Sequence, residues 1–140
     1  MSLQDQLLPL FVQVGLTFVL LFWMGGLRVA AIRRGEVKMR DIALGQPAWP
    51  ERPTQVANCY RNQFEMPVLF YVLVVLAIFT RKADFLFVIM SWIFVLLRIV
   101  HAYIHCTSNH VGHRFYIFLA AAVVLLVMWI IFVVRVLAAI

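Results

Sequence analysis

The sequence predicts an all-α integral membrane protein, a single four-transmembrane-helix bundle over residues 1–140. Three observations predict it. Hydrophobic residues make up 65% of the chain and charged residues only 13%, whereas a soluble domain is about half apolar and about a quarter charged. The charges cannot cover a water-facing surface, which excludes a soluble globular enzyme and a disordered chain. The length of 140 residues fits four crossings of roughly 20–25 residues each, with little left over. The charges also cluster between long uncharged runs.

The expected spans are about 6–33, 54–80, 84–106 and 113–137. Span 1 contains the uncharged run Gln6–Leu27 and span 4 the run Phe115–Val134. Each is long enough to cross a hydrocarbon core of about 30 Å. The N-terminus lacks the basic segment of a cleaved signal, so span 1 is read as retained. Gly15, Gly25 and Gly26 are expected to allow close helix approach. Spans 2 and 3 are different. Their uncharged runs, Met66–Thr80 and Phe85–Leu97, reach only roughly 22 and 20 Å as helices. Each can cross only by taking ionisable groups into the membrane. Such groups must face a partner or a wet cleft rather than lipid. Pro67 is expected to kink span 2 just past its polar face.

Loop 1 (about 33–53) holds Pro47, Pro50 and Pro53; loop 2 is the turn Arg81-Lys82-Ala83-Asp84; loop 3 lies around residues 107–110. Arg28, Arg33, Arg34, Lys38, Arg40, Arg52 and Arg114 flank loops 1 and 3, against Arg81, Lys82 and Arg135 on the other side. The positive-inside rule then puts loops 1 and 3 in the cytoplasm and both termini opposite. The same asymmetry accounts for the net charge of +6, so no nucleic-acid partner is expected. Arg135 reads as a snorkelling anchor, and His110 and His113 as interfacial loop residues. Cys59 and Cys106, without a CxxC, fall at the cytoplasmic ends of spans 2 and 3 and are expected to be reduced.

The candidate site is a polar ladder. Asn58, Arg61, Asn62 and Glu65 are spaced i, i+3, i+4, i+7 on span 2; Arg98, His101 and His105 are spaced i, i+3, i+7 on span 3. Each set forms one face of a helix. Counting outward from the Arg81–Asp84 turn pairs Glu65 with Arg98, Asn62 with His101 and Asn58 with His105. Glu65 is expected to pair with Arg98 or Arg61, and the purely structural alternative is an internal salt bridge. The excess of positive charge favours an anionic ligand, since Arg suits carboxylate or phosphate. Arg33 and Arg34 either anchor span 1 or send one side chain into the cluster. His101 and His105 at i, i+4 could share a metal, but no HExxH or further ligand cluster accompanies them, so no metal is expected.

These residues resemble the MAPEG superfamily, membrane-associated proteins in eicosanoid and glutathione metabolism. The resemblance is carried by Arg33-Arg34 closing span 1 and by Arg61-Asn62-Gln63-Phe64-Glu65-Met66-Pro67 in span 2, where Asn62 and Glu65 match an Asn-x-x-Glu signature. Arg98 to Tyr103 resembles the span-3 segment. In several enzymatic members an Arg stands four positions before the signature Asn, where this chain has Asn58. Tyrosines that contact glutathione in some members have His101 and His105 at the nearest positions. The resemblance implies a homotrimer binding glutathione as co-substrate between protomers, through Asn58, Arg61, Asn62, Glu65, Arg98, His101 and His105. It implies Arg33 and Arg34 as the catalytic pair, holding carboxylates or stabilising a thiolate that attacks a lipophilic electrophile or hydroperoxide. The function expected is thus a glutathione-dependent transferase or peroxidase acting on a hydrophobic small molecule. The alternative is a non-catalytic accessory or lipid-presenting subunit of a larger membrane complex, bound to a protein partner. Small size and the lack of a processed signal favour a bacterial inner membrane.

Overall fold

The computed structural model describes residues 1–140 as five α-helices and no strand. Helix α1 is Leu3–Arg33, α2 Glu51–Asn62, α3 Met66–Phe79, α4 Phe85–Cys106 and α5 Val111–Leu137. Helices α2 and α3 together form one span, so four helical segments are long and apolar enough to cross a membrane.

Local chemistry sets each boundary. Ser2 caps α1: its hydroxyl accepts from the Asp5 amide at 3.1 Å, and the Asp5 carboxylate accepts from the Ser2 amide at 3.2 Å. At the other end Gly35 takes φ +72° and the Glu36 amide bonds back to the Ala31 carbonyl, a left-handed stop that glycine favours. Asp84 caps α4 by accepting from the Phe87 amide at 3.0 Å. The opposite end of α4 is capped from α2. Gln55 Nε2 donates to the His105 carbonyl at 2.7 Å, and Arg52 Nη1 to that of Cys106. His110 is more than a loop residue, since its Nδ1 accepts from the His113 amide and starts α5.

The expected kink at Pro67 is instead a full break at Gln63–Glu65. Helix α2 stops at Asn62, and Pro67 sits in the first turn of α3. Proline is well tolerated there, because the first amides of a helix have no internal acceptor. The ladder on span 2 is therefore not one helical face: Glu65 lies outside both helices.

Two apolar clusters hold the bundle. The larger joins Phe70, Leu73 and Val74 of α3 to Phe94 of α4 and Leu125 and Met128 of α5, with Phe70 stacked on Phe94 at 4.7 Å between ring centres. The smaller joins Leu20 of α1, Val56 and Cys59 of α2, and Ala102 and Cys106 of α4. Both cysteines are free. Outward faces carry many exposed large apolar side chains, among them Phe22, Phe79 and Leu126, which a soluble monomer rarely tolerates and lipid accepts. A Cβ added at Gly15, Gly25 or Gly26 would meet nothing within 4 Å. Those glycines therefore do not serve a close helix approach within this chain. Arg135 is not a free anchor. Its Nη1 lies 2.8 Å from Asp84 Oδ2, tying the end of α5 to the α3–α4 turn.

Candidate functional site

Arg98 stands on α4 between the two clusters and is 0% exposed. It pairs with no carboxylate, since the only ion pairs in the chain are Arg40–Asp41 and Arg135–Asp84. Arg98 Nη2 donates to Asn62 Oδ1 and, at 3.4 Å, to Gln63 Oε1. Its Nε and Nη1 have no partner. The direct Glu65–Arg98 or Glu65–Arg61 pair expected from the spacing does not form. The break after Asn62 carries Glu65 to an exposed position, and Asn62 stands between the two charges. The Asn62 Nδ2 donates to Glu65 Oε2 at 3.3 Å.

Two residues behind Arg98 escape the sequence reading. Gln13 of α1 and Gln63 are 0% and 1% exposed. Gln13 Nε2 donates to Gln63 Oε1 at 2.9 Å, and Gln63 Nε2 to the Cys59 carbonyl at 3.0 Å. The relay Gln13–Gln63–Arg98–Asn62–Glu65 thus runs from the interior of α1 to the surface. Gln13 is a lone amide deep in an apolar span, and that was the signal available.

Five of the seven ladder residues divide between two clefts, and Arg98 and Glu65 line neither. The smaller, about 240 Å³, is lined by Asn62, His101, His105, Arg114, Phe115 and Phe118 among others. His101 and His105 are buried, their rings meet edge-on at 5.6 Å, and neither Nδ1 has a partner. Arg114 counts in the sequence only as a topology charge. The short α4–α5 turn brings it beside the last turn of α4, and its Nη1 donates to Asn109 Oδ1 at 2.6 Å. The larger cleft, about 770 Å³, includes Asn58 and Arg61 with Arg28, Trp49 and Glu51. Arg33 and Arg34 are exposed at the end of α1 and line neither cleft.

The smaller cleft has the chemistry of an anion site. It places Arg114 and the donor and acceptor groups of Asn62, His101 and His105 around one space, and Asn62 couples it to a buried guanidinium with donors to spare.

Neither a search of curated proteins nor a search of solved structures returns a match. The family model described as the MAPEG family matches residues 6–134, across all four spanning segments. The chain belongs to the MAPEG family and is an integral membrane protein.

Proposed function

We propose that this protein is a glutathione-dependent membrane transferase or peroxidase, with glutathione held at the cleft between α2, α4 and α5. The observation that carries the reading is Arg98, a cation shut off from water with no carboxylate and two nitrogens without an acceptor. A buried charge is normally paired, so an anionic ligand fits the deficit. Glutathione offers a carboxylate for Arg114 in the cleft, a second negative charge to offset Arg98, which stands buried behind Asn62, and an amino group for the exposed Glu65. Nearby cations lower a thiol pKa and favour the thiolate. That thiolate forms a C–S bond to a lipophilic electrophile, whose leaving group departs with the bonding pair. Arg33 and Arg34 project from this chain and so would act across a protomer boundary in a homotrimer. The co-substrate is a hydrophobic small molecule. The basic residues around loops 1 and 3 support placing those loops in the cytoplasm, as at an inner membrane.

The test is glutathione added to detergent-purified protein, read by thiolate absorbance near 240 nm and by conjugation of chlorodinitrobenzene. Both signals are expected, and both should fall in Arg114→Gln, a half-buried position where folding is not at stake. Absence of both signals in the wild type removes the enzymatic reading. Glutathione binding without turnover favours the accessory subunit, a reading consistent with Arg33 and Arg34 lining neither cleft.

A further inference from the structure

The larger cleft holds Asn58 and Arg61, which the resemblance assigns to glutathione, but lies apart from the cleft proposed above for it. Its volume of about 770 Å³ falls within the usual range for small-molecule sites, roughly 300–1,000 Å³. Its walls come from separate parts of the chain: Arg28 on α1, Trp49 on loop 1, Asn58 and Arg61 on α2, and Asn109 between α4 and α5. Few of the lining side chains are apolar. An acyl chain or other lipophilic molecule has almost no surface to bury against there, so the occupant is hydrophilic.

Charge decides the sign. Arg28 and Arg61 face the cleft and neither pairs with a carboxylate. The Nε of Arg28 is shielded from solvent and has no acceptor. The Arg28 guanidinium lies over Trp49, 4.8 Å from the ring centre, a stacking that holds its donor fork in one orientation. The one acid in the lining is Glu51, so two cations face one anion. These donors approach from different walls. A planar carboxylate is satisfied by a single fork, whereas a tetrahedral phosphoryl group presents oxygens to several donors at once. Arg52 stacks on Trp23 at 5.0 Å on the same end of the bundle. Such Arg–Trp pairs suit the headgroup level of a bilayer.

We propose that this cleft binds a phosphoryl group, contributed by a phospholipid headgroup or by a soluble phosphate monoester. The site is independent of the glutathione cleft, and Arg28, Arg61 and Asn58 carry it.

The full chain in zwitterionic detergent is titrated separately with glycerol 3-phosphate and with dihexanoylphosphatidylglycerol. Binding is followed by tryptophan fluorescence and by adduct mass under native ionisation. The expected result is saturable binding of at least one probe, one per chain, weakened roughly tenfold or more in Arg61→Gln. Arg61 is exposed, so this variant folds; Arg28→Gln should act in the same direction. Binding of glycerol 3-phosphate assigns a soluble ester, and binding of the lipid alone assigns a headgroup. Failure of both probes overturns the proposal, and so does binding that both variants leave unchanged. Saturating glutathione should leave probe affinity unaltered. Displacement would make the two clefts one site and overturn the second site while sparing the glutathione reading. A chain that binds the phosphoryl probe and no glutathione sinks only that reading.

Discussion

Gln63→Leu tests whether amides, rather than an ion pair, organise the polar centre of the bundle. The native side chain accepts from Gln13 Nε2 at 2.9 Å and Arg98 Nη2 at 3.4 Å, and donates to the Cys59 carbonyl at 3.0 Å. Leucine is of similar volume, so the packing loss is small. Gln13 Nε2 is then stranded as a buried donor, and Arg98 Nη2 keeps only Asn62. A net hydrogen bond contributes about 0.5–1.5 kcal/mol, and a stranded buried group costs about 1–3 kcal/mol. Measured bonds between membrane helices average about 0.6 kcal/mol, and a 3.4 Å contact counts for little. The expected loss is about 2–4 kcal/mol. Gln13→Leu strands the acceptor instead and should cost about 1–3 kcal/mol. The double variant removes both ends of the bond, so its loss should fall short of the sum by about 1–2 kcal/mol. Equilibrium unfolding by SDS in mixed micelles measures all three. Strict additivity, or a Gln63→Leu chain as stable as the wild type, refutes the network.

Glu65→Gln should change stability by less than about 1 kcal/mol in the same titration, because the carboxylate is exposed and bonded only to Asn62; a loss of about 3 kcal/mol would indicate a buried ion pair after all. Asp84→Ala removes a helix cap and an ion pair together and should cost about 1–2 kcal/mol, against less than about 0.5 for Arg135→Gln, whose side chain is 27% exposed beside a 46% exposed partner. Equal losses in those two would show that the pair, and not the cap, matters. Arg52→Leu should speed amide hydrogen exchange at the C-terminal turn of α4 roughly tenfold, since the Cys106 carbonyl loses its donor. Gln63→Glu places a carboxylate beside Arg98. It should stabilise the fold while weakening the glutathione thiolate signal, and a folded variant with an undiminished signal would count against Arg98 as the ligand's partner.

The four spans were legible because they depend on uncharged runs, which a count of charges finds directly. The break in span 2 was harder. Pro67 signals an interruption, and its place after the polar face predicts a kink there; the helix that Pro67 begins requires the stop to lie before it. Asn62 and His101 share a cleft, as counting from the turn predicts, but Glu65 does not reach Arg98, for the same reason. Counting residues from the Arg81–Asp84 turn assumes continuous helix, about 1.5 Å per residue, and the turn at Gln63–Glu65 violates it. Asn62 therefore meets Arg98, the residue that counting pairs with Glu65. Gln13 and Gln63 carry no charge to mark them in the sequence, although a buried amide needs partners as much as an ion does. Arg114 could not be placed from spacing, because the geometry of the α4–α5 turn decides which way the first turn of α5 points.

The arrangement around Arg98 argues against a purely structural role for the polar ladder. A guanidinium removed from water is costly, and the direct remedy is a carboxylate at its fork. This chain has an acid in reach by sequence, Glu65, three residues after Asn62. The break in span 2 puts that acid on the surface and gives Arg98 two neutral amide oxygens instead. Neutral acceptors hold the side chain in position without cancelling its charge, and they leave Nε and Nη1 without acceptors. A bundle built only for cohesion would gain by closing the ion pair. Holding the charge open gains nothing for stability, and it makes sense where an outside anion completes the site.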